Sequence, residues 1–313
     1  VIPIQQVKQL SDVRAVDLFS LPKIPTGIKS LDKVLSGGIY LGQTVILTGK
    51  RGDGKSTLGS QILANALDEG KTVLAYSGEL QDYFFKRWID FQIAGKHNVI
   101  DKAGPEGTVN YFIPNEKVRR ISEWYEGRAY LYENQSIEDD EAGDLLEIIE
   151  KAVQQYGVQL LLLDNLMTAL DVGMSVDLYR AQSKFVDKLV KMAKRQQVAV
   201  ILVVHPRKNG NGSDDNDAVS GSADITNKVD VVLTYKRDKA LRDNQRLLTV
   251  SKNRLTGKLA TGEKALTLYY DDASKRISDN VGEFTRSYGW EADKNGFVPV
   301  TQEQIEQMEI PFE

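Results

Sequence analysis

Gly49-Lys50-Arg51-Gly52-Asp53-Gly54-Lys55-Ser56-Thr57 is the stretch that decides how this chain is read. It matches G-x-x-x-x-G-K-[ST], follows a β-like run at 43–48 and leads into a helix-like run at 58–67. Glycines let the backbone curl so that successive N–H groups face phosphate oxygens, and the helix N-terminus adds favourable partial charge. In that setting Lys55 reaches the β- and γ-phosphates and the Ser56 hydroxyl ligates Mg²⁺. Gly49, Gly52, Gly54, Lys55, Ser56 and Thr57 are therefore the expected nucleotide-binding residues. The strand–loop–helix context separates this reading from a chance glycine turn.

Working outward, further β-like runs lie at 71–77, 158–163, 198–204 and 230–235, each rich in Val, Ile and Leu. Helical patterns fall between them at 80–94, 141–155 and 176–196. Strands alternating with helices predict an α/β fold with a mainly parallel central sheet covered by helices. Runs at 246–253, 264–271 and 275–278 predict C-terminal antiparallel strands added to the sheet edge. Residues 1–25, with Pro3, Pro22 and Pro25, read as a linker or arm, 26–280 as the ATPase domain, and 281–313 as a C-terminal extension forming a flexible tail.

Composition narrows the chemistry. The 313 residues are 41% hydrophobic and 27% charged, as in globular domains, and can bury a large core. Cysteine is absent, which excludes disulfides and thiolate chemistry. Two histidines, His97 and His205, leave no basis for a protein-ligated zinc site, so Mg²⁺ held mainly by phosphate is the expected metal. No apolar run is long enough to cross a bilayer and no signal-peptide pattern opens the chain, so no membrane partner is expected. The expected location is cytoplasmic. A net charge of −4 does not describe a globally basic nucleic-acid binder, although a cleft can still concentrate Lys and Arg on one surface. The chain opens on Val1 without methionine, from which a preceding region is expected.

Three residues at strand ends carry the remaining chemistry. Asp164 closes Leu160-Leu161-Leu162-Leu163-Asp164, where a carboxylate steadies Mg²⁺ through water; a helix cap is the plainer alternative. Glu79, expected on the strand beside the phosphate loop, is read equally well as the base that activates water or as a helix-capping residue. His205 ends Val200-Ile201-Leu202-Val203-Val204-His205 and could bond a γ-phosphate, while spacing alone favours a structural histidine.

Together these motifs resemble a known family. Thr26-Gly27, Leu31-Asp32 and Gly37-Gly38, then the phosphate loop, Ser77-Gly78-Glu79 and Leu163-Asp164-Asn165, look like the RecA-like P-loop NTPase core of DnaB-type replicative helicases. His205 with its polar loop, Ser220-Gly221-Ser222-Ala223 and Lys252-Asn253-Arg254-Leu255-Thr256-Gly257 are closer to the branch of phage primase–helicases and the mitochondrial helicase Twinkle. The resemblance covers about 24–280 and implies a hexameric ring, fuelled by ATP or another NTP or dNTP with Mg²⁺, that pulls single-stranded DNA through its centre and unwinds forked DNA 5′→3′. It implies Glu79 as catalytic base, His205 as γ-phosphate sensor and Asp164 as metal support. It further implies Lys252 and Arg254 as a basic pair serving the neighbouring subunit's site, and Arg237 with Tyr270 as the nucleotide-base sandwich. Two loops, about 168–180 and the one after His205, should line the pore, with Arg207, Lys208 and Asn209 on DNA phosphates. Neither a zinc ribbon nor a primase fold is visible, so a primase would be a partner domain or protein, among other replication proteins. A recombinase of the RecA or RadA type, or a non-translocating RecA-like switch or loader, would share the ATPase core.

Overall fold

The computed structural model describes residues 7–133, 145–165, 178–205, 223–237 and 242–292. A short antiparallel pair, β1 (Lys23–Ile24) and β2 (Ile39–Tyr40), brackets α1 (Lys29–Leu35). The phosphate-loop unit follows as β3 (Thr44–Thr48) and α2 (Lys55–Asp68), then β4 (Val73–Ser77) and α3 (Asp82–Ala94). Next come the hairpin β5 (Ile100–Ala103) and β6 (Val109–Phe112), α4 (Asn115–Tyr125) and β7 (Ala129–Leu131). The second half contains α5 (Leu145–Tyr156), β8 (Leu160–Asp164), α6 (Leu178–Gln196), β9 (Ala199–Val204), α7 (Ala223–Lys228) and β10 (Val231–Lys236). It ends with β11 (Gln245–Asn253), β12 (Leu266–Tyr270) and β13 (Ile277–Ser278).

One nine-stranded sheet runs in the order β13-β12-β11-β10-β3-β9-β8-β4-β7. From β10 to β7 every pairing is parallel, and β10 to β13 pair antiparallel, which is the mixed α/β architecture the sequence predicts. Side chains alternate across a strand, so the continuous apolar runs feed two cores. Val45, Leu47, Leu160 and Leu162 face the layer of α2, α3 and α4, whereas Ile46, Leu161 and Leu163 face α5 and α6.

Two expected boundaries shift. Lys23 and Ile24, assigned to the arm, form β1, and Ile24 is buried in the core. Residues 281–292, expected to begin a flexible tail, pack as two 3₁₀ turns with Phe284, Tyr288 and Trp290 buried. The Trp290 indole N–H donates to Ile93 O at 3.1 Å, and Arg286 pairs with Asp68 at 2.7 Å at the end of α2. Apolar burial and these bonds outweigh the entropy that would favour a loose end. Residues 293–313 lie outside the described residues.

Candidate nucleotide site and a distant basic pair

Parallel strands bring their C-terminal ends to one sheet edge, where open α/β sheets place ligands. β3 ends there in the phosphate loop, β9 in His205, β8 in Asp164, and Glu79 lies two residues beyond β4. The expectation that Glu79 sits on the strand beside the phosphate loop is corrected, because β9 and β8 lie between β3 and β4. Glu79 is nevertheless held in the same cluster. Asn165 Nδ2 donates to Glu79 Oε1 at 2.6 Å, and His205 Nε2 lies 3.3 Å from the same oxygen.

The loop needs glycine for specific reasons. Gly54 caps α2 with φ 97°, a left-handed conformation, and a Cβ on Gly49 would collide with the Tyr235 carbonyl oxygen. Lys55 is buried, and its Nζ donates to Gly49 O and Lys50 O, both at 2.8 Å. Burial pushes the Lys55 ammonium pKa down, opposed by the carboxylates of Asp53, Asp164 and Glu79. Burial raises the Asp164 pKa and Glu79 adds to the rise, against a hydrogen bond from Ser56 and the charge of Lys55. Burial and Lys55 lower the His205 pKa against the opposing pull of Glu79, so the imidazole is neutral at pH 7.

These residues fit Mg²⁺ and a triphosphate. Asp164 Oδ1 is buried without a hydrogen-bond partner beside the Ser56 hydroxyl, a hard oxygen pair suited to a divalent cation. A cavity of about 740 Å³ opens over the loop, lined by Arg51, Lys55, Ser56, Glu79, Trp88 and His205 among others. Phe85 and Trp88 give it an apolar wall that sequence reasoning did not anticipate. The aromatic run Tyr83-Phe84-Phe85 and Trp88, directly after Glu79, was the available signal. Asn165 was visible only as part of an Asp-Asn pair, and the buried Asp53 carboxylate was not singled out.

The remaining expected residues divide between this edge, where β10 leads into Arg237 and β12 ends in Tyr270, and the opposite one. Arg237 stands exposed just beyond β10, while the guanidinium over the Tyr270 ring, at 5.6 Å, is that of Arg246. Lys252 and Arg254 belong to the end of β11, which is the opposite end of the sheet from the phosphate loop. The Arg254 N–H bonds Asp230 O, and Gly49 follows Thr48, the partner of Thr234. The five residue steps from Asp230 to Tyr235 span about 16 Å of strand. Within its own chain the pair is tied down locally. Lys252 Nζ donates to Thr226 O at 2.7 Å, and Arg254 donates to Asn227 O at 2.5 Å and pairs with Asp230 at 3.5 Å. Arg207, Lys208, Asn209 and the loop at 168–177 lie outside the described residues.

A mostly parallel sheet with this loop and these strand-end carboxylates defines a RecA-like nucleoside-triphosphatase fold. The chain belongs to the AAA domain family, whose model matches residues 14–211, more than half its length. Among solved structures it is similar to an ATPase domain with which it shares a TM-score of 0.65 and 16% identity, over 83% of this chain and 92% of that one. It is also similar to a DnaB-like replicative helicase solved for its interactions with primase, with TM-score 0.67 and 16% identity over 84% of this chain and 64% of that one. The fold resemblance to DnaB-type helicases is thus met. Curated relatives are DNA repair proteins RadA. The one from Mycobacterium tuberculosis strain H37Rv is 29% identical over 72% of this chain and 38% of its own length. The one from Mycolicibacterium smegmatis is 27% identical over 83% of this chain and 46% of its own length. The chain spans less than half the length of these relatives. Among the described residues, no helix is long and apolar enough to cross a membrane.

Proposed function

We propose that this chain is the motor of an NTP-driven DNA helicase, assembled as a hexameric ring that translocates 5′→3′ on single-stranded DNA and unwinds forks. The observation that carries the reading is the position of Lys252 and Arg254, some 16 Å along the sheet from their own phosphate loop. A basic pair there serves a neighbour's nucleotide better than its own, as a ring with sites between subunits requires. A guanidinium delivered in trans contributes about 10³–10⁵ in rate.

Lys55 leaves the Gly49 and Lys50 carbonyls to bind phosphate oxygens. Ser56 and Asp164 would hold Mg²⁺, which when bound would neutralise phosphate charge. Glu79, oriented by Asn165, accepts the proton of the attacking water, and neutral His205 couples Glu79 to the loop that follows it. Arg237 and Tyr270 hold the base, and Arg207, Lys208 and Asn209 hold DNA phosphates. A primase domain or protein is the natural replication partner, in a bacterial or phage cytoplasm.

Mixing Arg254→Ala with Lys55→Ala subunits tests the reading, because one interface type then joins an intact loop to an intact finger. Partial recovery of hydrolysis, with fork unwinding by the unmutated chain, is expected. No recovery in demonstrably mixed assemblies rules against the trans finger. The RadA relatives favour a second reading, a DNA-recombination ATPase. Helical filaments on DNA in electron micrographs, without strand displacement at forks, would establish that reading.

A further inference from the structure

We infer that two exposed apolar patches, Tyr83 with Phe84 and Leu255 with Leu259, meet head-to-tail between copies of this chain and guide the basic pair into the neighbour's nucleotide pocket. The inference rests on the trans arrangement proposed above, and it specifies the surface that produces it. Tyr83 and Phe84 are 61% and 51% exposed on the first turn of α3, four and five residues beyond Glu79. Leu80 and Trp88, which line the nucleotide cavity, lie three residues before Tyr83 and four after Phe84, so the pair adjoins the cavity wall along the helix. Their rings lie tilted against each other, with centroids 4.4 Å apart.

The second patch flanks the basic pair. Leu255 and Leu259 are 39% and 50% exposed in the segment between β11 and β12, directly after Arg254. The two patches cannot meet within one copy. α3 begins past the end of β4 at the pocket edge of the sheet, whereas Leu255 follows β11 at the far edge. Any pose that brings Arg254 of one copy to the phosphates of another also brings its leucines to the cavity mouth. Lys252, Arg254 and Lys258 surround the leucines, whereas Glu79 and Asp82 precede the aromatic pair, and Lys86, paired with Asp90, and Arg87, bonded to Tyr111 O, follow it. Because the two surfaces differ, the contact is heterologous and propagates into a ring or a helical filament. Exposed aromatics could instead receive DNA bases. The leucines beside the finger, which match the aromatic pair in apolar character, favour a second copy.

The absence of cysteine gives a clean test. Phe84→Cys and Leu255→Cys chains are mixed with Mg²⁺ and a non-hydrolysable ATP analogue, then treated with a short bis-maleimide. The expected result is linked dimers from the mixture and none from either variant alone, with the double variant giving a ladder beyond the dimer. No linkage, linkage of Phe84→Cys to itself, or a double variant that stops at the dimer overturns the inference. Tyr83→Ser/Phe84→Ser should raise the protein concentration for half-maximal hydrolysis by about tenfold or more, the loss of one large buried contact. If it weakens single-stranded DNA binding and leaves that concentration unchanged, the patch is a base platform and the inference fails. Failure here is distinguishable from failure of the finger. Recovery in the Arg254→Ala/Lys55→Ala mixture without linkage leaves the finger standing and removes the patches. Linkage without recovery does the reverse.

Discussion

Replacing Asn165 by alanine should slow nucleotide hydrolysis about tenfold while leaving nucleotide affinity nearly unchanged. Asn165 is buried, and its amide donates to Glu79 Oε1 at 2.6 Å, whereas His205 lies farther from the same oxygen, at 3.3 Å. A hydrogen bond to a charged group contributes about 1.5–3 kcal/mol. The Glu79 side chain is 48% exposed, so solvent screening argues for the low end. About 1.4 kcal/mol of lost orientation corresponds to a tenfold smaller population of correctly aimed carboxylate. Removing the base itself, as in Glu79→Gln, should cost more, about 10²–10⁴. Asn165→Asp gives a sharper readout, because a second carboxylate against Glu79 raises the pKa of the pair. A base must be deprotonated to act, so the acid limb of the kcat–pH profile should move to higher pH. Steady-state turnover and fluorescent-nucleotide titration, each on variants with a normal melting temperature, provide the measurements. Unchanged turnover in Asn165→Ala, or an unmoved acid limb in Asn165→Asp, refutes the positioning role.

Lys55→Ala should abolish most hydrolysis and leave the fold intact, as phosphate release and a thermal melt would report, because its bonds are to loop carbonyls rather than the core. Lys208→Ala should weaken binding of a single-stranded oligonucleotide and flatten its salt dependence, read by fluorescence anisotropy across a salt series. Trp290→Ala should destabilise the domain by about 3–5 kcal/mol in denaturant unfolding, whereas a dangling tail would give almost nothing. For Glu291, burial raises the pKa but is outweighed by the bonds and charge of His97 with help from Asn98 and Ser287, so the folded value lies below the usual 4.5. Its stabilising contribution is therefore full above about pH 4.5 and lost as pH falls through the depressed value. Glu291→Gln should be less stable than the unmutated chain at neutral pH, with the gap closing in acid, by thermal melts across pH.

How much was legible depended on how each segment is buried. β3, β4, β8, β9 and β10 lie within the parallel sheet, covered on both faces, so their sequences are continuous apolar runs bounded by turns. The strand order was not legible, because a periodic pattern records which face is buried and not which neighbour a crossover reaches. That is why the sequence points Glu79 to a place beside β3 when two strands intervene. The hairpin β5–β6 left no trace for a related reason: it is almost wholly exposed, so no apolar alternation marks it. Segment 281–292 misled in the opposite direction. Phe284 and Trp290 sit in short 3₁₀ turns and Tyr288 just before the second, where no 3.6-residue repeat can appear.

The site residues divide along the same line. Lys55 and Ser56 follow from a local motif, since loop geometry and helix start are encoded within nine residues. Asp164 and His205 follow from strand ends, which parallel topology gathers at one edge regardless of strand order. Asn165 depends on packing between elements far apart in sequence, which no local pattern carries, whereas Trp88 was marked only by the aromatic run after Glu79. Lys252 and Arg254 form the informative exception. Their spacing was visible, but its meaning turns on the antiparallel course of β11, which carries the pair away from the edge where its own phosphates would bind. Reversing that strand's direction would place the same two residues beside their own loop and make one subunit self-sufficient. The direction of a single strand is thus the physical reason to expect hydrolysis to depend on assembly.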